Sequence, residues 1–383
     1  MKNKPFSVPM GDLLPPIRHF LTNYRFILIT LVATVLFTGC GAIIPPETPP
    51  ELQRYRDTLL GPFDTVTTFI TYAEDEATFN QYRDIVFGTL EDFHQLFDIY
   101  NEYEGINNLY TINQMAGIAP VEVDTPIIDL LNLSLESHAL TTGMHNIALG
   151  PVLQIWHQHR TEGIERPDLA TVPTMDELRA ANEFTDIHHL IINPENRTVF
   201  LDSEHMALDV GAIAKGYATG IAMERAQDAG MDAGIISAGG HVVAVGYPPN
   251  TERDYWNISI QDPDTTDFFP QAIDTVGTTD VSVSISGAYE RFFEVDGVVF
   301  GHLINPDTLM PSVMYAQVVI IHPYSWLTDV LSTALFNLDL ETGKALAQQV
   351  GAEVLWVEPT GDWAYTDGYV AISRELQQRW GRT

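Results

Sequence analysis

The stretch Ile235-Ile236-Ser237-Ala238-Gly239-Gly240-His241-Val242-Val243-Ala244-Val245 decides the fold. Apolar residues on either side of a glycine pair read as two strands joined by a tight turn, because glycine takes the positive φ angles of a two-residue hairpin without steric cost. The same form recurs outward, where 190–192 and 198–201 flank Pro194-Glu195-Asn196-Arg197. Strand composition also marks 63–72, 256–260, 281–285, 292–295 and 316–321. Apolar residues at helical spacing mark 76–100, 127–141, 175–182, 216–230, 327–337 and 340–350, and the segment between 141 and 175 reads as a loop-rich insert. Strands that pair in hairpins, with helices grouped in blocks, indicate an α+β fold with mixed antiparallel sheets and packed helices.

Charge narrows the function. The chain has 19 basic and 51 acidic residues, a formal charge of -32, which repels nucleic-acid phosphates and anionic lipid headgroups. Nucleic-acid binding is therefore excluded. A phosphorylated ligand would need local compensation from a helix N-terminus, a lysine or a metal ion.

The sole cysteine, Cys40, rules out a disulfide framework within the chain. Lys2, Lys4, Arg18 and Arg25 precede an apolar run over 26–37, which is short for a membrane span and is followed by Thr38-Gly39-Cys40. This order resembles a bacterial lipobox, in which the cysteine is lipidated and becomes the mature N-terminus. Residues 1–39 read as a signal peptide. Residues 40–54, with Pro45, Pro46, Pro49 and Pro50, read as a lipidated cysteine and extended tether, and 55–383 as a single domain. The expectation is an exported protein held by a lipid anchor on the outer face of the cell membrane.

Four segments carry candidate chemistry. Asp209-Val210-Gly211-Ala212-Ile213-Ala214-Lys215-Gly216-Tyr217 is a glycine-rich turn opening a helix, suited to an anion through its free N–H groups and Lys215, or simply a helix cap. Gly239-Gly240 either makes a hairpin alone or also admits a ligand close to the backbone. His302, before Leu303-Ile304-Asn305-Pro306-Asp307-Thr308, has the side chain of a general base near neutral pH, or is structural. Within Thr328-Asp329-Val330-Leu331-Ser332-Thr333, Asp329 and Thr333 are four apart. They share one helix face and suit a hard cation such as Mg2+, unless Asp329 is an N-cap.

Together and in this order, these segments, with Phe63-Asp64-Thr65, Gly143-Met144-His145-Asn146-Ile147-Ala148-Leu149-Gly150-Pro151 and Ser286-Gly287-Ala288-Tyr289-Glu290-Arg291, resemble the FAD:protein FMN transferase (ApbE) family over about 55–358. The resemblance implies a T-fold-like α+β domain that binds FAD and moves its FMN part to a threonine or serine hydroxyl of an exported flavoprotein, releasing AMP. It implies Mg2+ on the main-chain carbonyl of Ala212 and the side chains of Asp329 and Thr333. FAD contacts fall on Phe63, Tyr100, Met144, His145, Asn146, Asp209, Lys215 and Leu303, with His302 as the catalytic base. Many relatives carry aspartate where Asn146 and Asn305 stand, glycine in place of Leu309 and methionine in place of Phe63. Alternative readings are an FAD pyrophosphatase, giving FMN and AMP, and a non-catalytic FAD-binding lipoprotein.

The lipobox reading makes Cys40→Ser decisive. The substituted protein should lose its acyl mass and partition into the aqueous phase of a detergent phase separation; continued recovery in the detergent phase would rule out Cys40 as the anchor.

Overall fold

The computed structural model describes residues 51–249, 251–264, 271–289 and 291–380. Cys40 and residues 1–50 lie outside the described residues. The architecture is an eight-stranded sheet of β1 (Gln53–Leu60), β2 (Val66–Ala73), β3 (Gly234–Ala238), β4 (His241–Val245), β5 (Val281–Gly287), β6 (Gln317–His322), β7 (Glu353–Val357) and β8 (Trp363–Tyr365). Each strand pairs antiparallel with the next in chain order, so the sheet is a meander with helices inserted between its strands. The expected α+β class holds. β1 was not anticipated, because Arg54, Arg56 and Asp57 break its apolar pattern; charge suits an edge strand with an exposed face.

The main helices are α1 (Glu76–Phe97), α2 (Thr125–Leu140), α3 (Gly150–Glu165), α4 (Ala214–Asp228), α5 (Ser325–Phe336) and α6 (Leu340–Val350). On one face of the sheet, α1 and α4 cover Phe69, Ile236 and Val243, while Leu331 and Leu335 of α5 and Leu346 of α6 cover Val318, Ile320 and Trp356. The other face is closed by the hairpin of Trp256–Gln261 and Ala272–Thr278 and by the C-terminal helices, packed on Val283, Val319, Ile321 and Leu355. Because both faces are covered, β6 is buried at every position, and residues 318–321 between its polar ends read as an apolar run without alternation. In β5, Val281, Val283 and Ile285 alternate with Ser282, Ser284 and Ser286. That pattern ordinarily means a solvent-facing side, yet the serines are buried, and two of them are hydrogen-bonded to α5 through Thr328 and Ser332.

The insert between 141 and 175 is not loop-rich: it contains α3, a helix of 16 residues. Only Val152, Trp156 and Gly163, besides Gly150 at its start, are buried, so the helix carries too narrow an apolar stripe to reveal its period. The stripe packs on the hairpin of Phe292–Val295 and Val298–Gly301, with Trp156 against Phe293 and Phe300.

One glycine sets the crossing of α4 and α5. A Cβ on Gly216 would lie 2.6 Å from the Ser325 carbonyl oxygen and 2.7 Å from Asp329 Cβ, both parts of a packed helix with no freedom to yield. Gly216→Ala should therefore destabilise the fold by about 1–3 kcal/mol, seen as a lower urea midpoint at unchanged slope. An unaltered midpoint would show that the helices separate freely here.

Candidate active site

A cavity of about 510 Å³ opens where the helical face of the sheet meets the turn into α4, the N-terminal half of α5 and the base of the 292–301 hairpin. All twelve residues singled out within the folded part line it. Phe63 comes from the short turn before β2, Tyr100 from the segment after α1, and Met144, His145 and Asn146 from the loop after α2. Asp209, Ala212 and Lys215 come from the turn into α4, His302 and Leu303 follow the hairpin, and Asp329 and Thr333 stand one turn apart on α5. Cys40 is outside the described residues.

Asp329 is the centre of this arrangement. It is not an N-cap, since the cap of α5 is Tyr324 and Asp329 lies in the second turn. Its Oδ1 accepts a hydrogen bond from Lys215 Nζ at 2.8 Å, and its Oδ2 accepts one from the Gly216 backbone N–H at 2.8 Å. The side chains are 5% and 22% exposed respectively, so this is a largely desolvated ion pair. Burial by itself would raise the Asp329 carboxyl; the charge of Lys215, the nearby His241 and the two hydrogen bonds outweigh it and hold the group below the usual carboxylate range. Asp329 is thus ionised. Lys215, expected at a ligand, is paired with Asp329.

Behind the carboxylate lies a buried hydroxyl network. His241 Nε2 meets Ser325 Oγ at 2.8 Å and Ser282 Oγ at 3.1 Å, and Ser325 Oγ donates to the Gly216 carbonyl at 2.6 Å. His241 Nδ1 has no hydrogen-bond partner, although it lies 3.9 Å from Asp329 Oδ1. Burial pushes its pKa down to about 3. Sequence reading passed over His241, which sits directly after the Gly239-Gly240 turn.

His145 and His302 are the other buried imidazoles. Nδ1 of His145 bonds Ser137 Oγ at 2.8 Å and its Nε2 is unpartnered. Burial pushes its pKa down to about 4. His302 is likewise pushed down to about 4, by burial first and then by the charges of Arg291 and Arg160. Its Nδ1 is buried without a hydrogen-bond partner.

The polar walls include Arg160, which sequence reading missed, and Arg291, which it quoted within a motif but gave no role. Arg160 stands on α3 with its Nη2 2.9 Å from His157 Nδ1, and Arg291 opens the hairpin. The His157 ring also packs on Tyr100, with centroids 5.5 Å apart. Burial raises the carboxyl of Asp209 despite the hydrogen bond it accepts from Gly211 N–H.

The backbone explains several departures of this sequence. Gly239 and Gly240 have φ of 49° and 79°, the turn their residue type suggested, and Gly239 also lines the cavity. Leu309 has φ of 60°, a conformation that favours glycine over a branched side chain. It is held by burial and by the hydrogen bond from Trp156 Nε1 to its carbonyl at 2.8 Å. Asn146 uses both ends of its amide, accepting from Ala148 N–H and donating to the Thr185 carbonyl, each at 3.0 Å. An aspartate could not make the second bond.

Residues 63–356 match the ApbE family profile, most of the chain. The chain belongs to the ApbE family. Among its relatives, the FAD:protein FMN transferase of Treponema pallidum is 33% identical over 284 residues, covering 71% of this chain and 76% of that protein. That of Vibrio cholerae is 28% identical over 342 residues, covering 88% and 94%. The ApbE protein of Thermotoga maritima shares the fold with a TM-score of 0.73 at 24% identity, over 85% of this chain and all of that one. The flavin transferase ApbE of Vibrio cholerae superposes with a TM-score of 0.69 at 21% identity, over 84% and 100%.

The buried histidines fix the pH response of this ApbE domain. His145 and His241 ordinarily titrate near 6.5 but in the fold only near 4 and 3, so below pH 6.5 the unfolded chain binds protons that the native state refuses. Stability should fall as pH drops from 6.5 towards 4, by up to about 1.4 kcal/mol per pH unit for each ring. Asp329, whose folded pKa is depressed, adds a further loss below about pH 4, where its unfolded carboxyl starts to protonate. Urea midpoints across this range check the trend, and a flat profile from pH 7 to 5 would contradict it.

Proposed function

We propose that this chain is a FAD:protein FMN transferase that moves FMN from FAD onto a threonine or serine hydroxyl of an exported target flavoprotein, releasing AMP. The observation that carries the reading is the meeting, in one cavity, of an ionised buried carboxylate at Asp329 and a neutral His302 with an unpartnered nitrogen. A cavity of about 510 Å³ is also of the size that ligand sites occupy.

The residues fit a hard cation. Among the described residues no group of three or more His, Cys, Asp or Glu side chains is placed to hold a metal, so a cation here rests on one carboxylate and neutral oxygens. Asp329, the Thr333 hydroxyl and the Ala212 carbonyl form such a set, which suits Mg2+ with its remaining positions filled by water and phosphate oxygens. Held by these residues, Mg2+ would supply charge neutralisation to the diphosphate and the AMP leaving group. Lys215 holds Asp329 Oδ1 at 2.8 Å, and would be free to bind a phosphate oxygen if a cation took its place there.

His302 supplies the base. A hydroxyl docked against Nδ1 gives that nitrogen its missing hydrogen-bond partner and orients the attacking oxygen. The acceptor oxygen bonds to the FMN phosphorus as the bond to the AMP phosphate breaks, and the hydroxyl proton passes to His302. Burial keeps the ring neutral before the step.

Export and lipid anchoring belong to the same proposal. They rest on the Thr38-Gly39-Cys40 context and place the enzyme beside exported flavoproteins. The chain's charge of -32 favours a target that is not itself strongly acidic.

Mass spectrometry of a candidate acceptor after incubation with the protein, FAD and Mg2+ tests the reading. The acceptor should gain one FMN. His302→Ala should slow the single-turnover transfer by about 100-fold or more, and Asp329→Ala should abolish it. Free FMN and AMP with an unmodified acceptor would indicate a pyrophosphatase, and intact FAD would indicate a binding protein.

A further inference from the structure

Arg160 and Arg291 are placed together by packing. On α3, Trp156, Arg160 and Gly163 follow one another at i, i+4 and i+7, so they share a face. That face receives the 292–301 hairpin: Trp156 stacks on Phe300, and Gly163 lacks the Cβ that would sit 2.7 Å from Phe293. The residue between them is an arginine rather than another apolar contact. Arg291 enters at the residue before the hairpin begins, and its charge acts on the Arg160 guanidinium. Both line the cavity.

The arginine–carboxylate pairs lie elsewhere, at Arg83, Arg179, Arg197 and Arg379. Among the described residues no carboxylate is within ion-pair distance of Arg160 or Arg291, in a chain with 51 acidic side chains. Asp209 acts on Arg160 through its charge without an ion-pair contact and Arg291 is exposed, so both guanidinium groups can turn to an anion in the cavity, and the planar fork of arginine matches phosphoryl oxygens.

We infer that Arg160 and Arg291 form a two-guanidinium phosphate site, which binds the diphosphate of the dinucleotide on the His302 side of the cavity. The inference rests on the FAD reading above and adds to it. It assigns the compensation for the acidic chain to two arginines as well as to Lys215 and a metal. Their position beside His302 puts them on the phosphoryl group that accepts the nucleophile.

The test is equilibrium binding in EDTA, so that metal plays no part, with FAD titrated by its fluorescence into the wild type, Arg160→Gln, Arg291→Gln and Arg160→Lys, and riboflavin measured alongside as the phosphate-free probe. Arg160→Gln and Arg291→Gln should each weaken FAD by about tenfold or more and leave riboflavin unchanged, with Arg160→Lys in between. Unchanged FAD affinity in both glutamine variants would overturn the inference. So would equal losses for FAD and riboflavin, which would mean damaged packing, or intact FAD binding with a raised KM for the acceptor protein, which would make an acidic acceptor group the partner. If the wild type itself fails to bind FAD, the functional reading falls first and this one with it.

Discussion

The ion pair between Lys215 and Asp329 is the constraint on which the site depends. It joins residues from two helices that cross at a glycine, and the Gly216 backbone adds a second hydrogen bond to the same carboxylate. A carboxylate this deep would take up a proton if left alone, and breaking one half of such a pair commonly costs about 3–5 kcal/mol. The close crossing, the buried hydroxyls of β5 and α5, and the neutral His241 therefore form one device that keeps a negative charge ready beneath a cavity.

That device explains how a strongly acidic protein can host a phosphorylated ligand. The overall field opposes such a ligand, but fields in a cavity are set by the nearest groups. Here those groups include Lys215, Arg160 and Arg291, around histidines that burial has stripped of charge. Neutral imidazoles with unpartnered nitrogens leave hydrogen-bonding capacity for a substrate without changing the local balance of charge.

What the sequence disclosed followed from local rules. The Gly239-Gly240 hairpin was legible because its turn needs positive φ, and the helices with wide apolar faces were legible from their period. α3 was missed because its buried stripe is so narrow, and Arg160 was missed with it. β1 was hidden by edge charges, whereas β6, buried on both faces and so without alternation, was still marked by its apolar run. The twelve site residues were found through the ordered motifs of the family, since no local rule links Lys215 to an aspartate 114 positions away. Only the fold joins them. His241 offered no signal except its place next to the turn.

The order of strands in the meander bears on how the chain is made. β2 finds its partner β3 only after the long helical insertion, as Thr67 pairs with Ala238. Closing a loop of that length costs roughly 4–5 kcal/mol of chain entropy from length alone, so the contact belongs to the slow, non-local class. Until residue 234 has emerged, the β1–β2 hairpin presents an open backbone edge from a strand whose alternate residues are destined for burial. A nascent chain in that state can pair with its neighbours as readily as with itself. For an N-terminal hairpin synthesised first and completed late, shielding during biogenesis is a physical requirement of the topology.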